Sequence, residues 1–118
     1  MDSSTTIQSL KDFIKKFMEE RDWGQFHSPK NLSMQISVEA SELMELFLWV
    51  DTNKSGEILE KKREAVEQEV ADIAICLINF CIRTDIDLSE VIKDKMILNG
   101  EKYPVEKAKG KSNKYNEL

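Results

Sequence analysis

The sequence predicts an all-α fold, a bundle of about four helices joined by short antiparallel links. Three observations carry the prediction. Apolar residues recur at three- and four-residue steps in four separate segments, and no segment alternates with the period of a strand. Glycine and proline are scarce, and all six (Gly24, Gly56, Gly100, Gly110, Pro29 and Pro104) fall between the periodic segments or near their ends. The 118 residues, 41% hydrophobic and 33% charged, suit one compact domain and leave no room for a second.

The first helix is predicted over 5–20, from the stripe Ile7, Leu10, Ile14, Phe17 and Met18, with Thr5 and Gln8 spaced as a capping box. The second starts from Ser28 as N-cap with Pro29 in the first turn, and Leu32, Ile36, Leu43, Phe47 and Val50 carry it to about residue 51. The stretch from Asp51 to Gly56 reads as a turn, and Ser55 is positioned to cap the next helix. That long third helix continues through Ile58, Leu59, Ala65, Val66, Val70, Ile73, Leu77 and Phe80 to about Arg83. Its second half, Val70 to Ile82, is apolar on nearly all sides, which places it at the centre of a bundle or at a subunit interface. Asp87-Leu-Ser-Glu90 opens a fourth helix with Leu88, Val91, Ile92 and Met96 inward, ending near Gly100 and Pro104. Residues 1–105 thus form the domain, and 106–118 a Lys-rich, flexible tail.

The formal net charge is −5, the wrong sign for a general nucleic-acid binder. It is unevenly spread: residues 101–118 hold five Lys against three Glu, a net of +2, which leaves −7 for residues 1–100. Cys76 and Cys81 sit in an apolar run with no second pair to make a zinc pattern, so two reduced, buried thiols are expected. No stretch approaches the ~20 apolar residues that span a bilayer. Met1 is followed by Asp, Ser and Thr rather than by a basic, apolar leader, so the expectation is a cytoplasmic protein with no membrane partner. A chain this short buries only roughly two-thirds of its unfolded surface, so self-association is expected too.

The chemistry lies in the acids. Glu39 and Glu42 on the second helix are three residues apart, hence neighbours on one face, and Glu69 and Asp72 repeat the spacing on the third. The second pair leads into an apolar segment whose only other polar side chain is Asn79, so these acids are not simply a solvated stripe. Four carboxylates gathered across an antiparallel helix pair repel strongly, and the usual remedy is a hard divalent cation with oxygen ligands, Mg²⁺ first and Mn²⁺ as a substitute. A carboxylate-bridged iron site would need Glu-x-x-His on the helices, whereas the single histidine, His27, lies on the 20–29 connection. That connection also carries Trp23 and Phe26, and loop aromatics need a core to pack into or a flat ligand to face.

The pairs Glu39-Ala-Ser-Glu42 and Glu69-Val-Ala-Asp72 resemble the two-part acidic motif of the MazG-like all-α nucleoside triphosphate pyrophosphohydrolases. Three further segments resemble the dCTP pyrophosphatase branch of that family: Arg21-Asp-Trp23-Gly-Gln-Phe26-His27-Ser-Pro29-Lys-Asn31-Leu32, Glu42-Leu-Met-Glu45-Leu-Phe47-Leu-Trp49, and Asn99-Gly-Glu-Lys102-Tyr103-Pro104. Together they cover about residues 7–105. The resemblance implies packed helices in a homodimer or homotetramer, and Mg²⁺-dependent cleavage of a nucleoside triphosphate to the monophosphate and pyrophosphate. It makes Glu39, Glu42, Glu69 and Asp72 the metal ligands, one glutamate also orienting or deprotonating the attacking water.

By the same resemblance Trp23, Phe26, His27 and Trp49 face the base; read without it, Trp49 is core packing. Lys95, Asn99, Lys102 and Tyr103 lie at three- or four-residue steps at the end of the fourth helix, spaced to hold phosphate or sugar oxygens, with a solvated helix end as the alternative for the lysines. Lys30 and Asn31 line the site or serve the helix start. Two departures touch the motif: Ala40-Ser41 replaces a commoner Val-Gly, and Gln68 stands where an extra acid is frequent. Neither removes a ligand, but both bear on the pocket's shape and so on the preferred base. The alternative to an enzyme is a non-catalytic helical module that binds nucleotide without turnover.

Overall fold

A computed structural model describes residues 1–118, and every regular element in it is helical. The helices are α1 (Ile7–Glu20), α2 (Pro29–Glu45), α3 (Ser55–Lys61), α4 (Arg63–Thr84), α5 (Leu88–Lys102) and the single turn α6 (Val105–Ala108), with 3₁₀ turns at Gly24–Phe26, Thr52–Lys54 and Tyr115–Glu117. They fall into two compact units, Met1–Ile86 and Asp87–Leu118. No helix is long and apolar enough to cross a membrane.

In the first unit α4 is the central element, and α1 and α2 both pack on it. Its buried apolar residues are few: Ile14 from α1, Leu32 from α2, and Val66, Ile78 and Cys81 from α4. Lys11 Nζ donates to the Ile86 carbonyl at 2.6 Å and ties α1 to the end of α4. The run Val70–Ile82 is therefore only half covered, because Val70, Ile75 and Leu77 stay exposed while Ile78, Asn79 and Cys81 are buried. Both cysteines are free; Cys81 is buried and Cys76 half-buried.

Several boundaries differ from the sequence reading, each for a local reason. Thr6, not Thr5, caps α1 by accepting from Ser9 N–H, and Gln8 turns forward to Asp12 instead of closing a capping box. Helix α2 stops at Glu45 rather than 51, because the N–H groups of Phe47, Leu48 and Val50 bond three residues back in tight turns that end at Trp49, whose φ is 63°. The expected third helix is broken at Lys62 (φ −113°, ψ 24°). Between Leu59 and Ala65 every side chain is charged, so no burial holds the ladder together there. Ser55 does not cap α3; it is the first residue of that helix, and its hydroxyl donates to the Thr52 carbonyl.

The predicted caps of α2 and α5 are present: Ser28 Oγ accepts from Asn31 N–H with Pro29 in the first turn, and Asp87 accepts from Glu90 N–H. In the second unit Val91, Ile92 and Met96 were expected inward but are exposed, because nothing within that unit layers over this face of α5. After residue 105, the chain forms α6 and the last 3₁₀ turn, and Tyr115 meets Tyr103 edge-on at 6.1 Å between ring centres.

Candidate active site

Helices α2 and α4 pack along one another, and their adjoining faces bring the two acidic pairs together. Carboxylate oxygens of Glu39, Glu69 and Asp72 all lie within 4.8 Å of one another. Glu42, one turn on from Glu39, is close enough for its charge to act on that residue. Glu39 Oε1 accepts from Gln35 Nε2 at 2.7 Å, while Oε2 of Glu39 and Oε2 of Glu69 are buried without a hydrogen-bond partner. Desolvation, above all, raises the Glu39 pKa; the neighbouring Glu42 and Asp72 raise it further, against the bond from Gln35.

Two orphaned buried carboxylate oxygens in one cluster are costly as they stand, and an ion with oxygen-only ligands satisfies both at once. The donor set suits a hard divalent cation and has neither the nitrogen nor the sulfur that a softer metal selects. The residues therefore fit a divalent metal of the Mg²⁺, Ca²⁺ or Mn²⁺ kind.

Beside the acids lies a cleft of about 370 Å³. The 20–29 connection contributes Trp23, Phe26 and His27; α2 contributes Asn31, Leu32 and Gln35; α4 contributes Ile75, Cys76 and Asn79; and Met18 of α1 completes the wall. The cleft and the cluster are continuous through two side chains. Gln35 lines the cleft and holds Glu39, and the Cys76 thiol, also in the lining, has its pKa raised by burial first and then by the charges of Glu39 and Asp72.

The aromatic wall is supported from behind. Trp23 packs edge-on against Phe17, 5.7 Å between ring centres, and the Arg21 guanidinium covers the Phe17 ring at 3.6 Å. Asn31 Nδ2 donates to the Phe26 carbonyl at 2.9 Å, which ties the connection to the first turn of α2. The absence of a Cβ at Gly24 leaves room for the Arg83 guanidinium, whose flexible end lies against that position.

Within the first unit, not every residue singled out in the sequence reaches this cleft. Trp49 is 94% exposed, set outside the lining by the tight turns after α2, and is not core packing either. Lys30 is exposed at the start of α2. Lys95, Asn99, Lys102 and Tyr103 belong to the second unit, where Lys102 Nζ sits 4.9 Å over the Tyr115 ring and Asn99 is half-buried. Conversely, Gln35, Cys76 and Asn79 line the cleft without being marked out for it by the sequence. Gln35 was within reach of a sequence argument, since it precedes Glu39 by one helical turn.

A family model described as MazG-like matches residues 34–118, which include both acidic pairs. The chain belongs to the MazG-like family. Among curated relatives, dCTP pyrophosphatase 1 of Mus musculus is 35% identical over 115 residues, covering 96% of this chain and 68% of that protein. The Bos taurus protein of the same name is 36% identical over 118 residues, covering 98% and 70%. Among solved structures, a pyrophosphatase from Archaeoglobus fulgidus DSM 4304 superposes with a TM-score of 0.80 at 39% identity, over 82% of this chain and 91% of that one. The MazG-like fold is thus common to this chain and to an experimentally solved pyrophosphatase.

Proposed function

We propose that this chain is a nucleotide pyrophosphohydrolase that cleaves deoxynucleoside triphosphates, dCTP-like or modified ones first, to the monophosphate and pyrophosphate. The observation that carries the reading is the acid cluster: carboxylate oxygens from two packed helices within 4.8 Å, two of the cluster's oxygens buried and unpaired, at the edge of an aromatic cleft. The names of the curated relatives support the reaction class and the choice of dCTP.

In this reading Glu39, Glu42, Glu69 and Asp72 hold Mg²⁺, with Mn²⁺ as a substitute. Bound metal supplies the positive charge that offsets the triphosphate and the developing pyrophosphate. The residues around it do the positioning. Trp23 and Phe26 offer flat faces to a base, His27 its edge. Gln35 fixes one oxygen of Glu39, which directs the other into the cluster. One of the glutamates accepts the proton of the attacking water. From α5, Lys95, Asn99, Lys102 and Tyr103 are assigned to phosphate and sugar oxygens on the family resemblance.

Self-association belongs to the same reading. Leu10, Phe13, Ile14, Phe17, Met18 and Ile75 line a wholly apolar hollow on α1 and α4, and Phe13 is 75% exposed in the single chain. A second copy of the chain is the cover we assign to it, in a cytoplasmic homodimer or homotetramer.

The test is a panel of common and modified dNTPs and NTPs with Mg²⁺, the products separated by chromatography. Monophosphate formation, with a cytosine or modified-cytosine substrate at the head of the series, is the expected result. Failure to turn over any member, with nucleotide binding retained, would replace the reading with a binding module.

A further inference from the structure

Asn79 is polar in an otherwise apolar stretch of α4, and it is only 3% exposed. A buried amide is desolvated on both its donor and its acceptor side, so it is stable only where a partner meets it. The partner is His27, whose Nδ1 lies 3.1 Å from Asn79 Nδ2, across 52 residues of sequence. Both side chains line the cleft that holds Trp23 and Phe26. An amide NH₂ only donates, so Nδ1 of His27 accepts and is bare of a proton. Burial, and then the Arg83 guanidinium, hold the His27 pKa below its ordinary 6.5, which leaves the imidazole neutral at pH 7. The other charged groups near the pair, Lys15 and Glu19 of α1, line a smaller hollow shared with Asn79 and Arg83.

We propose that Asn79 is a positioning residue for base recognition: its amide fixes His27 as the Nε2–H tautomer, so that the cleft presents an N–H donor to an acceptor on the nucleobase edge, a carbonyl oxygen or an unprotonated ring nitrogen. The proposal deepens the nucleotide-cleaving reading and rests on it for the identity of the ligand, though not for the tautomer. Its chemical content is discrimination. Trp23 and Phe26 accept any base by its face, whereas a directed donor rejects a base that places a donor at the same point, because two N–H groups are then left facing each other. Arg83 works in the same direction, since a cation beside the ring disfavours the imidazolium that would erase the distinction between the two nitrogens.

The chain has a single histidine, so a long-range ¹H–¹⁵N correlation spectrum of the labelled 118-residue chain reads this one imidazole. The wild type is expected to show a pyridine-type Nδ1 and a pyrrole-type Nε2; the reverse assignment overturns the proposal. Asn79→Asp replaces the donor at Nδ1 with an acceptor. It should move the proton to Nδ1 and raise KM for dCTP about tenfold, with kcat changed less. Asn79→Leu removes the amide without adding charge and covers the case in which the buried aspartate prevents folding. It should mix the tautomers and raise KM in the same direction. A His27 spectrum unchanged in the folded variants, or a shifted tautomer with unchanged KM, overturns the assignment. A wild type that turns over no nucleotide counts against the catalytic reading and leaves the spectrum interpretable. Titration with dCTP is then followed at Nε2, and a resonance that does not move overturns the recognition role.

Discussion

Glu39 has one oxygen held by Gln35 and the other buried, unpaired and beside two more carboxylates. Such a residue lowers the stability of the metal-free protein and, in the proposed reading, gives the metal its affinity, so Glu39→Gln and Glu69→Gln should separate the two effects. In metal-free buffer each variant is expected to melt above the wild type, because a buried negative charge has been removed. Each should also lose the rise in melting temperature that Mg²⁺ gives the wild type. Turnover should fall by at least about 100-fold, the scale of losing metal stabilisation of the transition state. Calorimetric melts with and without Mg²⁺ check the first pair of effects and a rate assay the third.

His27 gives a prediction of opposite kind. Its folded pKa lies below its unfolded value, so the unfolded chain binds the proton more readily. The stability it contributes is fully present above pH 6.5 and is lost as pH falls through the lowered folded value. Denaturation midpoints followed downward from pH 7 should therefore drop more steeply for the wild type than for His27→Leu. At this scale the acids were legible because a three-residue spacing on a helix fixes adjacency. Asn79 stands out in the sequence as the odd polar side chain but has no role readable there, since its partner is 52 residues away and only the packing of α4 beneath the loop joins them.

At the scale of elements, α2 organises the site: its first turn holds Phe26 through Asn31 and its third and fourth turns carry Glu39 and Glu42. Its start depends on Ser28, whose hydroxyl meets Asn31 N–H. Ser28→Ala is expected to cost about 1 kcal/mol of stability, read from urea unfolding, and to raise KM more than it lowers kcat, because Asn31 and the loop it ties move while the acids stay. The caps at Ser28 and Asp87 were legible because the capping side chain and the N–H it satisfies are three residues apart. The break at Lys62 and the early end of α2 were not, because hydrophobic stripes continue through both: Ile58 and Leu59 run in phase with Ala65 and Val66, and Phe47 and Val50 follow Leu43. Periodicity reports which face is apolar, and a tight turn of the same hand preserves that face while ending the helix.

For the whole molecule, the decisive fact is how little the single chain buries. No large side chain is fully enclosed, and Phe13, Val70, Met96 and Trp49 all remain exposed. Chain length alone implies such a deficit, whereas the expectation that Val91, Ile92 and Met96 point inward assumed a covering layer the unit does not have. Phe13→Glu places a charge in the apolar hollow of α1 and α4 and should weaken the self-association proposed for that face by about 2 kcal/mol or more, seen as a shift toward monomer in sedimentation velocity. Met18 and Ile75 line both this hollow and the aromatic cleft, so the variant should also bind nucleotide more weakly if the proposed reading holds.

In the proposed reaction the four acids serve hydrolysis of a nucleoside triphosphate between its α- and β-phosphates. One ³¹P spectrum series of the wild type with dCTP and Mg²⁺ is the decisive measurement, since monophosphate, diphosphate, pyrophosphate and orthophosphate are resolved together. Monophosphate and pyrophosphate are expected in equal amounts, with the reaction arrested by a chelator and absent in Glu69→Gln. Diphosphate with orthophosphate, or an undiminished rate in Glu69→Gln, would contradict that assignment.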